Sequence, residues 1–316
     1  MNAEPSYASP IEQSAGMHRC CLRIAEVSIG LSASSAEDIC LASDMDPFRV
    51  EATDCDIEIR VGWVEQLQRP IGKKLFDSGS LWIMYARDDG YIIDFETPAL
   101  GARPYKRLCV NRSFSEAQLF LSRQCLGDLD PVHPLQYPLD ELLVTNWLAQ
   151  GKGVEVHGCG LADRSRGGLL FVGHSGAGKS TTTMLWKSMR DAQILSDDRI
   201  ILREWENELW MHGTPWHGEA GFAAARKMPI DRIFVLAHGS RNEIVPLSRS
   251  QAVGELFARS FPPFHGHRPL DSTLAYLHRI ADTVPCYVFH FLPDDSAVET
   301  VLNFLPPRGL PREGVV

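Results

Sequence analysis

The stretch Phe171-Val172-Gly173-His174-Ser175-Gly176-Ala177-Gly178-Lys179-Ser180-Thr181 runs from an apolar segment, through three glycines, into residues of helical composition. Gly173, Gly178, Lys179 and Ser180 meet the pattern G-x-x-x-x-G-K-[ST]. Each residue type has a physical task. Glycines let the backbone bend so that successive N–H groups point inward at an anion, an approach that a side chain at Gly176 or Gly178 obstructs. A helix starting near Lys179 adds unpaired N–H groups and the positive end of its dipole. Lys179 supplies a mobile charge for the β- and γ-phosphates, and the Ser180 hydroxyl is a ligand for Mg²⁺. The remaining positions, His174, Ser175, Ala177 and Thr181, offer backbone amides to the same phosphates. Four fixed positions at average residue usage recur by chance in such a chain about one time in a hundred. The flanks narrow this further, because Leu169-Leu170-Phe171-Val172 reads as a buried strand and residues 181–189 continue as a helix.

Working outward, the 316 residues suffice for two domains with sizeable cores. With 44% apolar and 22% charged residues the composition is that of a globular protein, and a net charge of -9 argues against a nucleic-acid partner. Eight cysteines, at positions 20, 21, 40, 55, 109, 125, 159 and 286, form no C-x-x-C pair and follow no secretory leader, so they read as thiols of a reducing cytoplasm. No apolar run approaches the roughly 20 residues that span a bilayer, so no membrane partner is expected. A homo-oligomer stays open.

Residues 1–17 lack periodicity and read as a flexible tail, as do residues 306–316. From about residue 18 the pattern becomes strand-like. Asp56-Ile57-Glu58-Ile59-Arg60-Val61-Gly62-Trp63 alternates with period two, which places Ile57, Ile59, Val61 and Trp63 on one face. Two apolar runs, residues 81–85 and 91–95, flank Asp88-Asp89-Gly90 and signal a hairpin. Trp63, Trp82 and Tyr91 sit at strand spacing, as core residues or as the wall of a ligand groove. Residues 18–130 are therefore expected to form a β-rich N-terminal domain. Prolines and acids in residues 126–134 mark the boundary, and residues 131–305 form the second domain.

In that domain residues 140–150 carry a helical stripe of Leu142, Leu143, Trp147 and Leu148, with Gly151 as its stop. Short strands at 154–158 and 169–172 enclose a polar turn. After the glycine loop and its helix comes Ser196-Asp197-Asp198-Arg199 between two apolar runs. Paired acids suit phosphoryl transfer, where one carboxylate holds Mg²⁺ and the other accepts the proton of an attacking hydroxyl. Read alone, the same pair is a solvated turn between hairpin strands.

His157-Gly158, the loop of residues 173–180 and Ser196-Asp197-Asp198-Arg199, in this order, resemble the catalytic core of HPr kinase/phosphorylase, a fold akin to phosphoenolpyruvate carboxykinase. The segment Met211-His212-Gly213-Thr214-Pro215-Trp216-His217-Gly218-Glu219 and the runs at 233–236 and 291–298 are similar to the broader HPr-kinase-like group, and the likeness spans roughly residues 135–300. The resemblance implies an α/β ATP-binding core and a Mg²⁺-dependent serine kinase, with Asp197 as catalytic acid/base, Asp198 and Ser180 at the metal, and His157 beside the transferred phosphate. The acceptor it implies is a serine-bearing peptide, protein or small molecule. Thr181 stands where that family carries an acid, and its Glu-Ile-Arg-Gly and Pro-Gly-Arg-Asn segments are missing, which implies forward transfer rather than phosphorolysis. Gly239-Ser240-Arg241-Asn242 is a poor substitute for the latter. A regulatory ATP-binding module and a carboxykinase-like enzyme are the rival readings.

Other residues carry less. His212 and His217 flank Trp216 in a segment that reads equally as a lid or a plain connection. His265 and His267, among Pro262, Pro263 and Pro269, read as a loop, and Asp294-Asp295 as a turn.

Overall fold

The computed structural model describes residues 16–304 apart from 71, 102, 130 and 264, so both expected tails lie almost wholly outside the described residues. The chain divides into two compact units, Met1–Leu143 and Val144–Val316, with the division inside a helix rather than at residue 130. Each unit is built on a large mixed sheet, and helices are few.

The first unit holds strands β1 (His18–Ile24), β2 (Val27–Ala33), β3 (Arg49–Val50), β4 (Ile57–Val64), β5 (Lys74–Asp77), β6 (Trp82–Arg87), β7 (Gly90–Phe95), β8 (Lys106–Asn111) and β9 (Glu116–Ser122), followed by the short helix α1 (Arg123–Leu126). They form one sheet in the order β3-β1-β2-β4-β9-β8-β7-β6-β5, parallel at β2/β4 and β4/β9 and antiparallel elsewhere. Period-two alternation does what the sequence indicates: Ile57, Ile59 and Val61 are buried while their neighbours are not. The Asp-Gly hairpin forms, with Arg87 paired to Gly90. Trp63, Trp82 and Tyr91 are half-buried, each with a partner: Asp38 accepts from the Trp63 indole at 2.6 Å, Trp82 stacks on Phe76, and Tyr91 stacks on Phe114.

Helix α2 (Leu139–Leu148) buries Leu143, Trp147 and Leu148 and leads into the second unit. There the chain makes β10 (Val154–Asp163), β11 (Gly167–Val172), α3 (Lys179–Arg190), β12 (Gln193–Ser196), β13 (Arg199–Trp205), β14 (Glu208–Gly213), β15 (Lys227–Pro229), β16 (Arg232–His238), β17 (Glu243–Pro246), α4 (Arg249–Phe257), α5 (His267–Thr283), β18 (Cys286–Phe291) and α6 (Asp295–Phe304). The sheet runs β15-β14-β13-β10-β11-β16-β18-β17, with β12 also on β10. Only β11/β16 and β16/β18 are parallel.

Strand β11 is apolar throughout because both of its faces are covered. Leu170 and Val172 join the cluster that includes Leu256 of α4 and Leu277 and Ile280 of α5. Leu169 and Phe171 join Trp186 of α3 and Val298 and Val301 of α6. Complete burial of Phe171, stacked on Phe234 at 5.2 Å, contributes about 2–3 kcal/mol. This strand is packed on both faces up to the point where it hands the chain to the glycine loop.

Two sequence expectations are corrected. The expected loop around residues 262–269 ends at Gly266, because His267 and Pro269 already belong to the first turn of helix α5, where a missing N–H costs nothing. His212 lies inside β14, buried, and is no part of a lid.

Candidate functional site

Strand β10 is where the three sequence signals meet. On one edge it pairs with β11, Gly158 opposite Val172, and the Gly173 N–H donates to the His157 carbonyl at 3.1 Å. On the other edge β10 pairs with β13, His157 opposite Arg199, and then with β12, Gly160 opposite Ser196. Between those two pairings the Gly158 N–H donates to the Asp198 carbonyl at 3.0 Å. β12 and β13 thus lie end to end along β10, and Asp197 and Asp198 occupy the jog between them. The solvated hairpin turn is ruled out by this pairing.

The two acids are used in opposite ways. Asp197 is only 1% exposed, and three backbone amides donate to its carboxylate: Gly218 and Phe222 at 3.1 Å and Ala220 at 3.0 Å. A carboxylate offers about four acceptor positions, so most are taken by residues 218–222. Asp198 is half-buried. Its Oδ1 lies 2.8 Å from His157 Nε2, and its Oδ2 forms a close ion pair with the Arg199 guanidinium. Burial alone would push the Asp198 carboxyl up. The hydrogen bond from His157 and the charges of Arg199, His157 and Lys179 outweigh it, and the group is held below the usual carboxylate range. Arg199 also reaches Glu155 at 3.3 Å and lies over the Phe261 ring at 4.1 Å.

The glycine loop leaves β11 at Gly173. Gly176 and Gly178 have φ of +77° and +98°, in the left-handed region that favours glycine. At Gly178 a Cβ would also stand 2.3 Å from the Phe291 ring, which closes β18 beneath the bend. Residues 174–176 are exposed, and His238 Nε2 lies 3.0 Å from the Gly176 carbonyl. Helix α3 begins at Lys179 with no side-chain cap, so the amides of its first turn remain available beside the loop. The Lys179 ammonium donates to the carbonyls of Gly173 and His174, both at 3.1 Å. Burial lowers its pKa, against an opposing pull led by Asp198. Ser180 and Thr181 open onto a groove of ≈ 560 Å³ that Met184, Leu185, Ser188, Glu219 and Ala220 complete.

His157, Gly173, Lys179, Asp197 and Asp198 are therefore neighbours, and Ser180 and Thr181 follow on the first turn of α3. Ordered amides and a lysine at a glycine bend can hold phosphate oxygens. Among the described residues no group of three or more His, Cys, Asp and Glu is arranged to hold a metal. Mg²⁺ takes one or two carboxylates together with substrate oxygens; Asp198 and Ser180 are residues of those types, and in this structure the Asp198 oxygens meet His157 and Arg199.

Sequence reasoning gave no role to Arg199, Glu155, His238, Phe291 or the amides of residues 218–222. Arg199 had a signal, a cation directly after two acids. His238 and Phe291 end the parallel strands β16 and β18, and the carboxyl ends of such strands are where ligand crevices form. Elsewhere, burial pushes the His212 imidazole down to about 3, and His217 is exposed beside the Gly218 carbonyl. Asn242, in the poor substitute segment, ties Leu292 N–H at 2.7 Å to the Ser296 hydroxyl at 2.6 Å.

No family model matches this sequence, and no curated protein matches it. Among solved structures, the Hpr(Ser) kinase/phosphatase from Coxiella burnetii is similar over 48% of this chain and 94% of that one, at 15% identity and a TM-score of 0.28. That is a distant structural relationship. No helix among the described residues is long and apolar enough to cross a membrane.

Proposed function

We propose that the second unit is a cytoplasmic, ATP-dependent phosphotransferase of HPr-kinase-like type that phosphorylates a hydroxyl, that of a serine in a peptide, a small protein or a small molecule. The observation that carries this reading is the backbone lattice on β10, which sets the glycine loop on one side and a cation-flanked carboxylate on the other. The amides of residues 174–176 and 178–180 and the Lys179 ammonium bind the phosphates, while the Gly173 and Ala177 N–H groups hold the loop itself through the His157 and His174 carbonyls. Ser180 and Asp198 are the residues that would hold Mg²⁺, which would supply charge neutralisation at the phosphates.

The proton of the acceptor hydroxyl is taken by Asp198, which keeps its charge because of His157, Arg199 and Lys179. His157 orients that carboxylate. Asp197, for which the acid/base role was expected, is spent on three loop amides and acts by positioning residues 218–222 along the groove.

The test begins with binding. A folded Lys179→Ala protein loses contacts worth about 1.5–3 kcal/mol, so calorimetry should record at least a tenfold weaker ATP affinity. Unchanged affinity removes the phosphate-binding role of the loop. Labelled-phosphate transfer to serine-bearing acceptors then separates a kinase from a regulatory module, since tight ATP binding with no transfer favours the module.

A further inference from the structure

Away from that site, the first unit brings two thiols together. Cys21 lies in β1 and Cys55 just before β4, and the Cys55 thiol donates to Cys21 Sγ at 3.6 Å. The contact is held by a built set of bonds. The Arg19 guanidinium reaches the carbonyls of Ala52 at 3.4 Å and Thr53 at 3.0 Å, Cys55 Sγ at 3.4 Å and both oxygens of Glu58 at 2.7 and 2.8 Å. Glu58 in turn accepts from the Cys55 N–H at 3.0 Å, and the Cys21 thiol donates to the Ala52 carbonyl at 3.2 Å. One cation and one carboxylate thus pin residues 52–55 against β1 with the two sulfurs facing each other.

We propose that Cys21 and Cys55 are a redox-modification site, a dithiol that a low-molecular-weight disulfide such as oxidised glutathione converts into an intramolecular disulfide. The sulfurs must close by about 1.5 Å to bonding distance, a displacement within the reach of side-chain rotation. Cys21 is 5% exposed and Cys55 is half-buried, so Cys55 is the point of entry. Its thiolate attacks one sulfur of oxidised glutathione, the glutathione S–S bond breaks, and the first glutathione leaves with a proton. The Cys21 thiolate then attacks the Cys55 sulfur of the mixed disulfide, and the second glutathione leaves likewise. Two protein S–H groups become one S–S bond, and one oxidised glutathione becomes two reduced molecules.

The surroundings set the rate. Burial, the hydrogen bond to Cys21 and the proximity of Cys21 and Glu58 hold the Cys55 thiol up at about 11, with Arg19 pulling the other way. Since the thiolate is the nucleophile, the pair stays reduced on brief exposure at neutral pH and oxidises faster as pH rises.

The experiment exposes the full chain to oxidised glutathione, blocks remaining thiols by alkylation, and reads intact mass and digest peptides. The expected product has lost two thiols and joins the peptide bearing Cys21 to that bearing Cys55, faster in alkaline buffer. Cys20→Ser keeps the bridge, which separates Cys21 from its neighbour. Cys21→Ser stops at a glutathione adduct on Cys55, and Cys55→Ser gives no bridge to Cys21; these near-isosteric changes keep the fold, checked by circular dichroism. A wild-type chain that retains all eight thiols under conditions that oxidise dithiothreitol, that halts at the Cys55 adduct, or that bridges other cysteines overturns the proposal.

Discussion

Each unit contains an aspartate paired with an arginine, and the two pairs behave differently. In the first unit Asp94 and Arg107 are sealed from solvent, with paired contacts at 2.5 and 2.7 Å, and Arg107 also donates to the Gln68 carbonyl at 2.6 Å. Burial pushes the Asp94 carboxyl up despite its partner. In the second unit Asp198 is half-exposed among His157, Arg199 and Lys179, and is held down. Where desolvation dominates, an ion pair is a structural fixture; where several cations converge on a group that solvent still reaches, the charge is available for chemistry.

The largest effect that tests this contrast is on transfer. Asp198→Asn should lower phosphoryl transfer by about 10²–10⁴-fold, the usual range for a lost general base, with only a small loss of stability at neutral pH. A raised Mg²⁺ requirement in the same variant would mark Asp198 chiefly as the metal ligand, and full transfer would remove it from the site. Asp94→Asn is the mirror experiment. It strands a buried guanidinium and should cost about 3 kcal/mol in denaturant titration while ATP affinity is untouched. A loss below about 1 kcal/mol would make the sealed pair dispensable.

Asp197→Asn ranks third. Its amide NH₂ must face one of the three loop N–H groups, which should cost about 1–3 kcal/mol and speed hydrogen exchange at Gly218, Ala220 and Phe222. Protection at those amides equal to the wild type would show that the clamp is not holding the segment. The smallest effect is on the pH dependence of stability. A depressed folded-state pKa at Asp198 contributes stability above the unfolded value of about 3.9 and loses it as pH falls through the folded value. For Asp94 the raised pKa reverses the sign: its contribution is full below the unfolded value and declines as pH rises through the folded one. Denaturant midpoints of the wild type and Asp198→Asn, followed from about pH 7 to about pH 3, should therefore converge in acid. Parallel curves would contradict the depressed pKa.

Much of the candidate site was legible because it lies in short, chemically marked segments. Gly176 and Gly178 announce a backbone bend, and the apolar run before them announces a strand covered on both faces. The acids were legible as a pair but not in their division of labour. Nothing local says that Asp197 points at amides about 20 residues onward while Asp198 points at a histidine some 40 residues back. The start of the helix at 267–283 was obscured by Pro269, a residue that marks a loop in most settings and sits in a first helical turn in this one.

The sequence by itself determined the glycine bend, the position of Lys179 at the start of a helix, the alternation in β4 and the Asp-Gly hairpin, since each depends on backbone freedom or periodicity within a few residues. Only the tertiary structure decided which aspartate is sealed by loop amides and which is half-exposed between Arg199 and His157, that Phe291 lies beneath Gly178, and that Cys21 meets Cys55. Those relations depend on strand register, and register is set by the packing of whole sheets rather than by the residues it brings together.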